Sequence, residues 1–165
     1  MRLALAQARA ALDTGDVPVG AVVLDRSGSV VGTGRNAREA TGDPTAHAEI
    51  LALRHAAATM SQGWRLAGTT LLVTLEPCPM CAGAVLAARV SRLVFGAYDE
   101  RAGAVGSTWD LVRDRQVAVR PEVIGGVLAE PCGALLLDFF AGHRQPGTAA
   151  LGRPAKPDAD RPGAG

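Results

Sequence analysis

The chain has 165 residues, 48% hydrophobic and 20% charged, with 17 Lys and Arg against 16 Asp and Glu and a formal net charge of +1. That length fits one domain with a real core, and the composition excludes a disordered chain or a disulfide-stapled scaffold. The balanced charge carries no global signature of a nucleic-acid binder, so any such role must come from local placement of groups. Three cysteines are an odd and low count, which points to a reducing, cytoplasmic setting. Gln7 and Arg9 interrupt the apolar N-terminal stretch and speak against a signal peptide. No apolar run reaches the ~18 residues that a membrane span needs.

Leu5, Ala8 and Leu12 recur at helical spacing, so residues 2–14 read as an amphipathic helix ending before Gly15. Residues 19–24 are a nearly continuous apolar run, as expected of a strand covered on both faces. Asp25-Arg26-Ser27-Gly28 is turn chemistry leading into a second strand over 29–34. Residues 35–44 read as a polar loop. The next helix carries Ile50, Leu53 and Ala57 on one stripe, with Asp43 or Thr45 as its N-cap. Residues 70–75 read as a central strand. A helix starting at Cys78-Pro79 places Cys81, Ala84, Val85 and Ala88 on one face. Residues 92–96 form another strand, and a short helix is expected within 108–114. A last strand falls within 119–125, its start weakened by Pro121. The final helix, 130–143, carries Cys132, Leu135, Leu136, Phe139 and Phe140. Adjacent helical positions point ~100° apart, so at least one of the two phenylalanines is expected in the core. From Gln145 onward the chain is rich in Pro and Gly and has no aromatic residue. This divides it into a domain over 1–144 and a disordered tail over 145–165.

Strands alternating with helices imply a three-layer α/β/α sandwich around a mixed central sheet of about five strands. The first two strands form a hairpin, and the later ones run parallel through right-handed crossovers. In such sheets ligands bind beyond the carboxyl ends of strands, where helices begin.

Two short motifs fall at those helix starts: Thr45-Ala46-His47-Ala48-Glu49 and Glu76-Pro77-Cys78-Pro79-Met80-Cys81. A Cys-x-x-Cys pair is a redox dithiol, half of a structural zinc site, or two ligands of a catalytic zinc. A helix N-terminus favours the thiolate in all three. A structural site needs four protein ligands, whereas a catalytic site needs three and leaves one position for water. Besides the pair, the chain offers Cys132, His47, His55 and His143. His47 is the best third ligand, because it opens a helix with Glu49 two residues on. Cys132 reads as an inert core thiol, and His55 as a solvated or core-edge histidine. Glu49 suits a proton shuttle between water, a ring nitrogen and a leaving amine. His-x-Glu followed by Pro-Cys-x-x-Cys is the signature of zinc-dependent nucleobase deaminases.

The same strings carry a finer resemblance. Val17-Pro18-Val19-Gly20-Ala21-Val22, Asn36 with Asp43-Pro44-Thr45-Ala46-His47-Ala48-Glu49-Ile50, and Thr74-Leu75-Glu76-Pro77-Cys78-Pro79-Met80-Cys81-Ala82-Gly83-Ala84 resemble the bacterial tRNA-specific adenosine deaminases. Phe95-Gly96-Ala97-Tyr98-Asp99, Gly103-Ala104-Val105-Gly106-Ser107 and Asp138-Phe139-Phe140 follow later family blocks. The resemblance implies a cytidine-deaminase-like fold, a homodimer and one Zn2+ per subunit. It implies conversion of adenosine to inosine at the wobble position of an arginine tRNA, with the anticodon stem-loop as partner. Under it His47, Cys78 and Cys81 hold zinc, Glu49 moves protons, and Asn36 and the Ala48 backbone read the flipped base. Asp99 lies near the RNA backbone, and Phe139, Phe140, His143 and Arg144 lie where the last helix meets the anticodon loop. The alternatives are a deaminase of a free base or nucleoside such as guanine or cytosine, a dead binding subunit, and a redox protein.

Overall fold

The computed structural model describes residues 1–61 and 63–143. Helix α1 (Arg2–Ala11) runs into a single 3-10 turn, Leu12–Thr14, that stops at Gly15 with φ of 72°. Strands β1 (Gly20–Leu24) and β2 (Val30–Arg35) form the hairpin. A short helix α2 (Arg38–Thr41) and helix α3 (Ala48–Thr59) lead to β3 (Thr70–Leu75). Helix α4 (Pro79–Ala87), β4 (Arg92–Ala97), a 3-10 turn at Leu111–Arg113, β5 (Glu122–Ile124) and α5 (Ala129–Gly142) complete the order.

The strands form one sheet in the order β2-β1-β3-β4-β5. β1 is antiparallel to both β2 and β3, whereas β3, β4 and β5 are parallel. β2 therefore runs with β3, and all four strands other than β1 end on one edge. Both predicted site motifs leave the sheet from that edge. The larger core lies between the sheet and helices α3 and α4, built from Ala21, Val23, Leu71, Val73, Leu93 and Phe95 against Ala48, Ala52, Ala82 and Val85. Each fully buried large apolar side chain contributes about 1.5–3 kcal/mol. A smaller cluster of Leu5, Ala97 and Cys132 covers the opposite face under α1 and α5. The mixed five-stranded three-layer sandwich is the architecture expected from the sequence.

Four local expectations fail for physical reasons. Neither Asp43 nor Thr45 caps α3. The Asp43 carboxylate instead accepts the Thr45 N–H and hydroxyl, both at 2.7 Å, and so closes a turn. His47 stays extended at φ −76° and ψ 150°, and α3 begins at Ala48. The expected polar loop of 35–44 contains α2, whose first N–H groups are received by a distant carboxylate. Asp16 accepts Glu39 N–H at 2.8 Å and Ala40 N–H at 3.2 Å. The expected helix within 108–114 contracts to one 3-10 turn. Neither Phe139 nor Phe140 enters the core: the buried residue of α5 is Cys132, while Phe139 is half-buried and Phe140 is exposed.

Candidate active site

Both motif helices start where their strands leave the sheet. Cys78 is the N-cap of α4, held extended at φ −71° and ψ 172°, with Pro79 at the first helical position. Proline suits that position because its missing N–H would have no partner there. Cys81 follows one turn on and is buried. His47 is the N-cap of α3. The two caps thus bring an imidazole and two thiols together over two helix N-termini, which favour thiolate.

The ligand atoms of His47, Cys78 and Cys81 all lie within 4.8 Å of one another. His47 Nδ1 is 3.7 Å from Cys78 Sγ and 3.5 Å from Cys81 Sγ. A tetrahedral zinc with its usual bond lengths requires a nitrogen-to-sulfur separation of about 3.6 Å. The donor set therefore fits zinc, and three protein ligands leave one position open.

The electrostatics of the cluster agree with that fit. The hydrogen bond from the Cys81 thiol, with His47 adding to it, outweighs burial and draws the Cys78 thiol down to about 4. That same bond to Cys78, with burial and Glu49, pushes the Cys81 thiol up. The hydrogen bond to Cys78 raises His47. Metal ligation removes such shared protons.

Glu49 lies in the first turn of α3 and is 4% exposed. Burial, foremost, pushes its carboxyl up, and the Cys78 charge adds to this. A buried carboxyl raised in this way beside a metal-ligand cluster is placed for proton transfer. Asn36 is also buried, and its Oδ1 accepts the Ala48 N–H at 3.1 Å. The Ala48 N–H is therefore engaged within the protein, and no hydrogen bond engages the Asn36 Nδ2 among the described residues.

Asn36 opens onto a cavity of about 330 Å³ lined also by Asp16, Arg38, Phe139 and His143. Phe139 is half-buried and stacks on His143 with ring centroids 4.1 Å apart. Phe140 is 51% exposed and lies outside that lining. Asp99 is half-buried on the edge loop, and its Oδ1 accepts Arg101 N–H at 2.9 Å and Ala102 N–H at 3.2 Å. Arg144 and residues 145–165 lie outside the described residues. Cys132 is 1% exposed and remote from the cluster, against Gly96 under α5. His55 is exposed, and its Nδ1 accepts Thr33 N–H at 3.2 Å at the sheet edge. Sequence reasoning missed Asp16, Arg38 and Glu76. Only Glu76 gave a signal, as an acid directly before Pro77-Cys78.

The description "cytidine and deoxycytidylate deaminase zinc-binding region" matches residues 1–97. The chain belongs to that family. A tRNA-specific adenosine deaminase of Haemophilus influenzae is 48% identical over 145 residues, spanning 88% of this chain and 83% of that protein. This places the chain with the tRNA-specific adenosine deaminases within the family. A tRNA(Ile)-lysidine synthase of Deinococcus radiodurans is 46% identical over 159 residues, which are 96% of this chain but 26% of that longer protein. A solved structure from work on A-to-I editing by tRNA:A34 deaminases at the wobble position superposes with a TM-score of 0.78 and 39% identity, covering 82% of this chain and 97% of that one. Among the described residues no helix is long and apolar enough to cross a membrane.

Proposed function

We propose that this protein is a zinc-dependent hydrolase converting adenosine to inosine at the wobble position of a tRNA anticodon, with an arginine tRNA as substrate. The observation that carries the reading is the His47, Cys78 and Cys81 cluster with buried Glu49 beside it, in a chain of this family. His47, Cys78 and Cys81 would hold one zinc per subunit. When bound, the metal supplies a Lewis acid that brings the pKa of water to about 7. Two thiolates and a neutral imidazole balance the dication.

The reaction forms a bond from water oxygen to C6 of adenine and breaks the bond from C6 to the amine, which leaves as ammonia. Glu49 accepts one proton from water and gives it to a ring nitrogen, then accepts the second from the hydroxyl now on C6 and gives it to the leaving amine. The target base must leave its stack to reach this depth. Asn36 donates from Nδ2 to the flipped base, and Ala48 supports that contact by fixing the amide's orientation. Phe139 and His143 flank the entrance, with Arg38 beside them to meet phosphate. Asp99, Phe140 and Arg144 are assigned to the outer anticodon loop.

The protein is proposed to act in the cytoplasm as a homodimer. An apolar cavity of about 380 Å³ between α3 and α4 supports a paired face, lined by Ile50, Leu53, Trp64, Ala84 and Ala87. Trp64 is 55% exposed there.

The test incubates the zinc-loaded protein with an arginine tRNA of ACG anticodon and sequences the product. An A-to-G change at the wobble base is expected. No change there, with turnover of free guanine or cytosine, overturns the reading in favour of a free-base deaminase.

A further inference from the structure

Glu76 is 2% exposed, sits two residues before Cys78, and takes no part in the proposed proton transfers. Its carboxylate is nonetheless fully engaged. Oε1 accepts the N–H groups of Val105 at 3.2 Å and Ser107 at 3.0 Å. Oε2 accepts Asp99 N–H at 3.1 Å and the Ser107 hydroxyl. Four donors from one loop thus converge on a single side chain at the entrance to α4. Next to it, Pro77 O accepts Ala104 N–H at 2.8 Å, which ties the same loop to the zinc segment a second time. The approach is close because residue 103 is glycine. A Cβ there would overlap the Glu76 carboxyl and lie 2.5 Å from Asp99 O.

The outer side of this loop carries exposed aromatic surface, although the Tyr98 ring meets Phe95 edge-on with centroids 5.0 Å apart. Tyr98 is 58% and Trp109 47% exposed, and Arg101 is exposed between them in sequence. The Trp109 position is set from within the loop, since Gly103 O accepts its N–H and its own carbonyl accepts Gly106 N–H. Arg113 braces the same turn by donating to Val105 O and Asp110. Exposed aromatics interleaved with arginine are the chemistry that stacks unpaired bases and meets phosphates.

We infer that Glu76 is a positioning residue that ties the 99–107 loop to the zinc segment, and that the loop so held fixes Trp109, just beyond it, as a stacking surface for an unpaired base of the RNA. The inference rests on the tRNA reading given above. Glutamine at 76 would keep the Oε1 contacts and turn an amide group toward the Asp99 N–H. Alanine would leave all four donors without a partner. Loss of a buried charged acceptor is costly to its donors, so the loop should loosen in the order Glu, Gln, Ala.

The experiment uses the full-length, zinc-loaded chain with Glu76→Gln, Glu76→Ala, Gly103→Ala and Trp109→Ala. Zinc content, trypsin cleavage after Arg101, and kcat and KM on the arginine tRNA are measured. Glu76→Ala and Gly103→Ala are expected to keep one zinc per chain, speed cleavage at Arg101, and raise KM about tenfold with kcat within about threefold, one base stack being worth about 1–3 kcal/mol. Glu76→Gln should fall between them and the parent. Trp109→Ala should raise KM similarly without changing cleavage at Arg101. If Glu76→Ala fails to fold, Gly103→Ala carries the same expectation with Glu76 in place. Unchanged cleavage at Arg101 in both loop variants overturns the anchor. An unchanged KM in Trp109→Ala, or a fall in kcat and zinc content with KM unchanged in the loop variants, overturns the RNA role. Absence of tRNA turnover by the parent protein sinks the substrate reading alone, because the cleavage assay still decides the anchor.

Discussion

Replacing Gly34 by alanine tests whether the sheet sets the position of helix α3, which carries the proposed proton shuttle Glu49. Gly34 is buried in β2 and faces α3. A Cβ there would overlap the Ala48 carbonyl oxygen and lie 2.6 Å from Ala52 N. Ordinary contact lies near 3.5 Å, so α3 must retreat by about 1 Å. Overpacking of this kind costs about 1–3 kcal/mol. The first turn of α3 takes the strain, and it carries Glu49 two residues after the His47 cap. A misplacement of about 1 Å at a catalytic group lowers turnover about a hundredfold. The matched control is Gly20→Ala, where a Cβ would overlap Ala4 O and Ala8 N of α1 on the other face of the sheet. Urea unfolding and kcat per folded, zinc-loaded molecule separate the two effects. Both variants should lose stability, and only Gly34→Ala should lose kcat. Wild-type kcat in Gly34→Ala, or equal loss in Gly20→Ala, would refute the reasoning.

Glu49→Gln should keep one zinc per chain and lose turnover about 10²–10⁴-fold; zinc loss on metal analysis would make Glu49 a ligand instead. Because burial raises the Glu49 carboxyl, its ionisation opposes folding as pH climbs from the ordinary carboxylate range through the raised folded value. Thermal melts of the metal-free Gln variant should therefore lie above the parent at neutral pH and converge with it in acid. Asp16 has the opposite sign: burial pushes its carboxyl up, but hydrogen bonds from Glu39, Thr14 and Ala40 outweigh this and hold it below the usual range. Its stabilisation is complete above the unfolded value and is lost as pH falls through the depressed one. Asp16→Asn should cost about 2 kcal/mol at pH 7, and a gap that persists unchanged in strong acid would contradict this. Arg89 adopts φ of 63° just after α4. Arg89→Gly should raise stability by about 1 kcal/mol in urea titration, and a lower midpoint would show that its side chain contributes more than the strain costs.

The elements most legible in the sequence were those whose signal is local and periodic. The apolar run at 19–24 and the helix opened by Cys78-Pro79 appear within a residue or two of their expected bounds. The elements that were misread depend on partners far along the chain. α2 exists because Asp16 receives its N–H groups from 23 residues away, which no window over 35–44 contains. The start of α3 shifted because Asp43 spent its carboxylate on a turn. Helix period alone put at least one of Phe139 and Phe140 in the core, but it does not fix which stripe of α5 is buried, and that stripe is centred on Cys132.

The net charge of +1 and the three cysteines first excluded classes without naming a function. Residue type and spacing then determined the chemistry, because a zinc site needs particular donor atoms and these recur at short, fixed offsets on helix starts. Sequence alone therefore specified His47, Glu49, Cys78 and Cys81. Tertiary structure decided how those groups are held. It set the nitrogen-to-sulfur distances near a tetrahedral zinc's, engaged the Ala48 N–H with Asn36, and drew Phe139 with His143 to the cavity beside Asn36. It also folded the 99–107 loop onto Glu76. These depend on the crossing of strands and helices distant in sequence, where geometry is set by packing and by buried hydrogen bonds that local pattern does not encode.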